Sequence, residues 1–203
     1  MNDEFTTIKS EARAGTKVQG SRFIATALSV STKAEAEQFL AGIRKEFRDA
    51  THNCFAYRVG TDGMQFRFGD DGEPSGSAGK PILASIDKFK LTDIIVVVTR
   101  YFGGTKLGVG GLVRAYSDAA EQALLKAEKL TKYETEIIEA TFPHSHISSV
   151  MHVVSKVGAK IVDTMYDEDV HAKLEIRLSK AGELKSLLVN QTNGNINLKP
   201  DGH

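Results

Sequence analysis

The chain has 203 residues, 41% of them hydrophobic and 26% charged, with 26 basic residues against 26 acidic. Its longest uncharged apolar stretch, Ile94 to Thr99, falls far short of the ~20 residues that span a bilayer, so a membrane-spanning helix is excluded. Zero net charge argues against a protein that coats nucleic acid by bulk electrostatics and confines any polyanion site to a local patch.

The N-terminus, MNDEFTTIKSEARAG, has acids at positions 3 and 4 and no positive start leading into an apolar run. It does not read as a secretory signal, and a cytoplasmic location is expected. Gly20 to Val30 is rich in β-formers and reads as a strand. Thr32 and Glu35 have capping-box spacing, and Ala36, Phe39, Leu40, Ile43 and Phe47 then share one face of a helix. Cys54 to Val59 and Met64 to Phe68 flank Gly60-Thr61-Asp62-Gly63, a hairpin pattern whose Asp-Gly pair suits a positive-φ turn. Asp70 to Pro81 is too rich in glycine for regular structure and reads as a long shaped loop. A short helix over Ile82 to Phe89 follows. Ile94 to Val98 is an unalternating β-branched run, the pattern of a central strand buried on both faces.

Eleven of the 18 glycines fall between Gly60 and Gly111. A glycine loop after the central strand delivers the chain into a helix over Leu112 to Leu130, and a domain boundary is expected at residues 131 to 134, giving domains 1–132 and 133–203. The charges split there as 18 basic and 16 acidic, then 8 basic and 10 acidic, so neither half is polarised. The second part reads strand Glu136 to Phe142, helix Ile147 to Val157, strands Lys160 to Tyr166 and Val170 to Leu178, helix Ala181 to Val189 and strand Ile196 to Lys199. That β-α-β-β-α-β order is the ferredoxin-like arrangement, with Gly158 ending a helix and Asp167-Glu168-Asp169 turning a hairpin. The fold class expected is α+β.

Two constellations could carry chemistry. Arg100, Lys106 and Arg114 occur with no acid between Asp93 and Asp118, beside Tyr101 and Phe102, and Lys80 sits on the other glycine loop. Cations with aromatics suit phosphate or single-stranded nucleic acid, whereas the structural alternative has the aromatics in the core and the cations solvated. Val113 stands where a dinucleotide fingerprint needs its last glycine, and Pro74 where a P-loop needs its first. Asp70, Asp71 and Glu73 could hold Mg²⁺ or act as acid and base; alternatively Asp70 and Asp71 cap turns or pair with Lys80 and Arg100. Cys54 follows His52 by two strand positions, hence on one face, but a lone cysteine in an apolar strand is ordinarily core. His144, His146 and His152 have no acid or cysteine at ligand spacing, so no metal and no cofactor is expected.

DDGEPSGSAGKP (Asp70 to Pro81) and VTRYFGGTKLGVGGLVRAY (Val98 to Tyr116), with HNCFAY (His52 to Tyr57) upstream, closely resemble the IMPACT/YigZ family. The resemblance is strong over about residues 17 to 130, and the remainder resembles the small C-terminal domain of bacterial members. It implies a first domain like domain 2 of ribosomal protein S5 and a second like the last domain of translocating elongation factors. The RWD domain of eukaryotic members, associated with competition for the activator of a translation-controlling kinase, has no counterpart in these residues. By analogy of fold, contact with RNA or the ribosome is implied. The resulting expectation is a non-enzymatic regulatory or RNA-associated protein of translation, binding through Lys80, Arg100, Tyr101, Lys106 and Arg114. Two alternatives stay open: an enzyme acting on a small phosphorylated substrate with a metal held by Asp71 and Glu73, and an adaptor for a protein partner. Asp70 to Pro81 and Arg100 to Gly111 are expected at one edge of the sheet.

Overall fold

A computed structural model describes residues 3–200. The chain divides into two compact units, Phe5–Lys132 and a second made of residues 3–4 and 133–200. It is an α+β protein throughout.

The first unit is built on a five-stranded antiparallel sheet. Its strands are β2 (Ala12–Val18), β3 (Ser21–Ser29), β4 (His52–Val59), β5 (Gln65–Gly69) and β6 (Ile94–Tyr101), in the order β2-β3-β6-β4-β5. β6 is central and its side chains go alternately to two different cores. Ile94, Val96 and Val98 pack with Ile82 and Ile86 of α2 (Gly79–Lys88) and with Leu112, Tyr116 and Ala120 of α3 (Gly108–Lys126). Ile95 and Val97 pack on the opposite face against Ala36, Leu40 and Ile43 of α1 (Lys33–Glu46). Both faces are covered, so the sequence has no polar alternation to show, although every pairing is antiparallel. α1 starts where its capping pattern places it: Thr32 Oγ1 accepts from Glu35 N at 3.1 Å, and the Glu35 carboxylate accepts from Ser31 N at 2.7 Å.

In the β4–β5 hairpin the left-handed backbone falls on Gly60 (φ 91°) and Gly63 (φ 63°), while the Asp62 carboxylate accepts from Met64 N at 2.9 Å. The turn therefore uses Asp62 as a side-chain acceptor and leaves the positive φ to the glycines on either side. α3 begins at Gly108, four residues before the expected Leu112, and stops at Lys126, because Lys129–Tyr133 (β7) extends instead and pairs with Glu4–Ile8 (β1) as a two-stranded ribbon.

The second unit runs β8 (Thr135–Phe142), a single 3-10 turn at His144–His146, α4 (Ile147–Val157), β9 (Lys160–Tyr166), β10 (Val170–Arg177), α5 (Leu178–Gln191) and β11 (Asn197–Pro200). The sheet order β11-β8-β10-β9 gives the fourth, first, third and second strands of the unit, the ferredoxin-like arrangement. Ile138, Phe142, Leu174 and Ile176 from the sheet meet Val150 and Val153 of α4 and Leu184 and Leu188 of α5. Gly158 takes φ 79° at the C-terminus of α4, as the αL cap requires.

Candidate functional site

The Asp70 to Pro81 loop follows β5 and the Arg100 to Gly111 segment closes β6. β5 and β6 both pair antiparallel with β4, so they run in the same direction and release these segments at one edge. Gly79 makes the approach possible: a Cβ there would lie 2.7 Å from Gly69 N and 2.9 Å from Gly69 C, so only glycine lets α2 start against the end of β5.

Asp70 organises the loop. One carboxylate oxygen accepts from Ala78 N (3.0 Å) and Gly79 N (2.8 Å), the other from Gly76 N (2.8 Å), which caps the start of α2 with a negative charge. Asp71, at φ 45°, accepts from Arg44 Nη2 at 2.8 Å and from Asn53 N at 2.7 Å. Glu73 points inward and is 4% exposed at its side chain; its Oε1 receives Arg100 Nη1 at 2.6 Å and the Tyr116 hydroxyl at 2.8 Å. His52 Nε2 stands 3.8 Å from the same oxygen, and its Nδ1 lies 2.8 Å from the Asp71 carbonyl. Among the described residues no group of three His, Cys, Asp or Glu side chains has metal-ligand geometry.

Arg100 is 5% exposed. Its guanidinium lies 5.5 Å from the ring centres of both Phe23 and Phe102, Nη2 donates to Ser21 Oγ at 3.2 Å, and the buried Nε has no partner. Burying this cation is tolerable because Glu73 is buried with it. Beneath the pair, the Cys54 thiol is 3.0 Å from the Asp70 carbonyl oxygen and 3.3 Å from the Tyr116 hydroxyl. Burial raises the thiol from 9.0 to about 12 and raises the Tyr116 phenol as well, so both stay protonated. Cys54 is thus a core hydrogen-bonding group, and neither it nor His52 contacts the other in a nucleophile pair.

Above Arg100 and Glu73 opens a pocket of about 420 Å³, walled by His52, Phe102, Lys106, Leu107 and the first turn of α3. Leu107 at the N-cap provides no side-chain acceptor, so the leading N–H groups of α3 are left without one. Phe102 is 48% exposed. Lys106 is exposed and makes no ion pair with the described residues, a combination of cation and free N–H groups suited to an anion.

The other candidates lie elsewhere. Lys80 is exposed on the first turn of α2 and Arg114 is exposed on α3, the two helices on the face of the sheet that Arg100 of β6 shares; neither lines the pocket. Tyr101 is half-buried, its hydroxyl donating to Asp49 at 2.9 Å and its ring lying 4.4 Å under the Arg22 guanidinium. Its face is therefore covered, and Phe102 is the aromatic that the pocket presents. Sequence reasoning did not single out Tyr116, Ser21 or Leu107. The spacing of Leu112 and Tyr116 in an amphipathic helix signals only burial, and which carboxylate a buried hydroxyl meets is decided by loop geometry.

Residues 19–124 match the Impact N-terminal domain and residues 140–195 a domain of unknown function (DUF1949). The IMPACT family member YvyE of Bacillus subtilis is 32% identical over 98% of this chain and 92% of its own length. YigZ of Escherichia coli, also named as an IMPACT family member, is 32% identical over 90% of each. A solved structure described as that of a hypothetical protein superposes with a TM-score of 0.76 at 28% identity, covering 98% of this chain and 97% of its own. Protein IMPACT of Bos taurus is 38% identical, but over only 32% of this chain and 20% of its own. The two matched domains, in this order along nearly the whole chain, show that the protein belongs to the IMPACT family.

Proposed function

We propose that this protein is a non-enzymatic, cytoplasmic RNA-binding regulator connected with translation, and that the pocket at the start of α3 holds a phosphate of single-stranded RNA with a base against Phe102. The observation that carries the reading is the convergence on one pocket of an exposed Lys106, the uncapped first turn of α3 and the exposed ring of Phe102. Arg100 supports the floor of the pocket through Glu73 and is a positioning residue. The carboxylates favour binding over chemistry: Asp70 and Asp71 are engaged by loop N–H groups and Arg44, and Glu73 by Arg100 and Tyr116. Among the described residues no helix is long and apolar enough to cross a membrane.

The test is a salt titration of binding to a labelled 12-nucleotide single-stranded RNA. Lys106→Ala should weaken binding and lower the slope of log affinity against log salt by about 0.7, the share of one phosphate contact. Phe102→Ala should weaken binding at every salt concentration with an unchanged slope. Equal affinity and slope in folded Lys106→Ala would reject the reading.

A further inference from the structure

The two edges of the first unit's sheet are protected unequally. β2, at one edge, alternates buried Ala12 and Ala14 with exposed Arg13 and Lys17, and cations along an edge strand oppose pairing with another chain. β5, at the other, pairs only with β4 among the described residues, so every second N–H and C=O of Gln65–Gly69 points outward with no strand to receive it. β5 holds no proline and no lysine, and its register against β4 runs without a bulge.

The apolar side chains of this edge are exposed as well. Phe66 stands opposite Arg58 and Phe68 opposite Ala56, and Ala56 packs with Ile82 and Ile86 of α2, so both rings lie on the α2 face of the sheet. α2 does not cover them: Phe66 is 52% and Phe68 40% exposed, and Met64, one residue before the strand, is 74% exposed. Arg67, between the two rings, lies on the other face and pairs with Glu37. Three large apolar residues at alternate positions on one open rim form a patch, unlike the singly scattered ones that a surface ordinarily carries.

We propose that β5 pairs antiparallel with β5 of a second copy of this chain, about a twofold axis at Phe66, which joins two five-stranded sheets into one. A twofold antiparallel pair brings same-face residues opposite each other, so its axis must fall at a residue, and the side chains select which. An axis at Arg67 sets two guanidinium groups directly opposite; one at Phe68 sets Phe66 against the partner's Asp70, and one at Gln65 sets Phe68 against the partner's Asp62. An axis at Phe66 sets Phe66 on the partner's Phe66, Met64 on the partner's Phe68 and Gln65 on the partner's Arg67, so every side chain from Met64 to Phe68 is matched. Six apolar side chains and one run of backbone hydrogen bonds bury on the order of 1,000 Å², the low end of specific interfaces, so the dimer should dissociate in the micromolar range. Zero net charge adds no long-range repulsion between copies. The pairing does not depend on what the anion pocket binds.

Sedimentation equilibrium of the full chain should show monomer at about 1 μM and a growing share of dimer above about 50 μM. Phe66→Lys sets two ammonium groups opposite each other on the edge, so it should weaken the dimer at least tenfold while the chain stays folded by circular dichroism. Phe66→Cys should be joined into a covalent dimer by a short bismaleimide, because its thiols lie opposite each other about 5 Å apart. Phe68→Cys should not be joined, since its thiols are four residues out of register, about 13 Å apart. The native Cys54 is buried and gives no background, and the two cysteine variants decide the matter if Phe66→Lys misfolds. A native chain that stays monomeric, native self-association in folded Phe66→Lys, no cross-linking of Phe66→Cys, or cross-linking of Phe68→Cys as readily as of Phe66→Cys would overturn the proposal.

Discussion

Glu73 is the carboxylate on which the buried side-chain cluster closes, because one of its oxygens receives both the Arg100 guanidinium and the Tyr116 hydroxyl in a place where water is excluded. Removing it leaves Arg100 charged and 5% exposed with only Ser21 to replace the lost partner. Glu73→Ala should therefore cost about 3–5 kcal/mol in urea denaturation, the usual penalty for stranding one half of a buried pair. A loss under 1 kcal/mol would mean that the pair is hydrated. Cys54 gives a second prediction at this scale. With its thiol raised by burial from 9.0 to about 12, the folded state keeps a proton that the unfolded chain releases, so this contribution to stability is intact below pH 9 and falls away between pH 9 and 12. Native protein at pH 8 should show no thiol reactive toward Ellman's reagent, and denatured protein one; rapid native labelling would place Cys54 at the surface.

Between elements, close approach is set by glycine. α2 begins against the end of β5 only because Gly79 has no side chain at its contact with the Gly69 backbone, and Gly79→Ala would have to push the helix off the strand. The expected cost is about 1–3 kcal/mol, as for other overpacked sites, with hydrogen exchange faster at the start of α2 and unchanged in β8 and β10. Unchanged stability would show that the Asp70 loop has slack. This contact also explains how much of the architecture could be read from residues alone. Patterns of burial were legible: β6 as an unbroken β-branched run, α1 from its cap and apolar face, α4 and β9 to the residue. β1, β2 and β7 were not, since TKV and KLTKY are short, half-exposed and polar; β1 and β7 take strand state from pairing with each other across the chain, and β2 from its hairpin with β3. The glycine loops told that backbone was specified there, and their two segments were expected together. That Arg100 would be buried against Glu73 while Lys106 stayed free was not legible, because both are simply cations in one loop until the sheet edge assigns one inward and the other outward.

At the scale of the whole chain, the sequence boundary near residue 132 and the compact units differ in one particular that has energetic weight. Asp3 belongs with the second unit: its carboxylate accepts from Arg177 Nε and Nη2 at 2.6 to 2.8 Å and from Ser179 N at 2.9 Å, and its carbonyl accepts from Glu134 N at 2.8 Å. We propose that each unit has a core sufficient to fold alone, and that the second is held at its β10–α5 junction by this N-terminal residue. The Arg177 guanidinium holds the Asp3 carboxyl well below its ordinary 3.8, so the stabilisation is present above that pH and lost as pH falls through the lower folded value. Asp3→Asn should thus speed hydrogen exchange in β8 and β10 at pH 7 and leave β3 and β6 as they are. The native and variant rates should converge as the pH falls below 3.8, once both are corrected for intrinsic exchange. A fragment of residues 133–203 should fold, and should exchange as the variant does. Unfolded fragment would refute the independence of the two cores, whereas a folded fragment with native protection would leave the cores independent and show that Asp3 contributes nothing to the second.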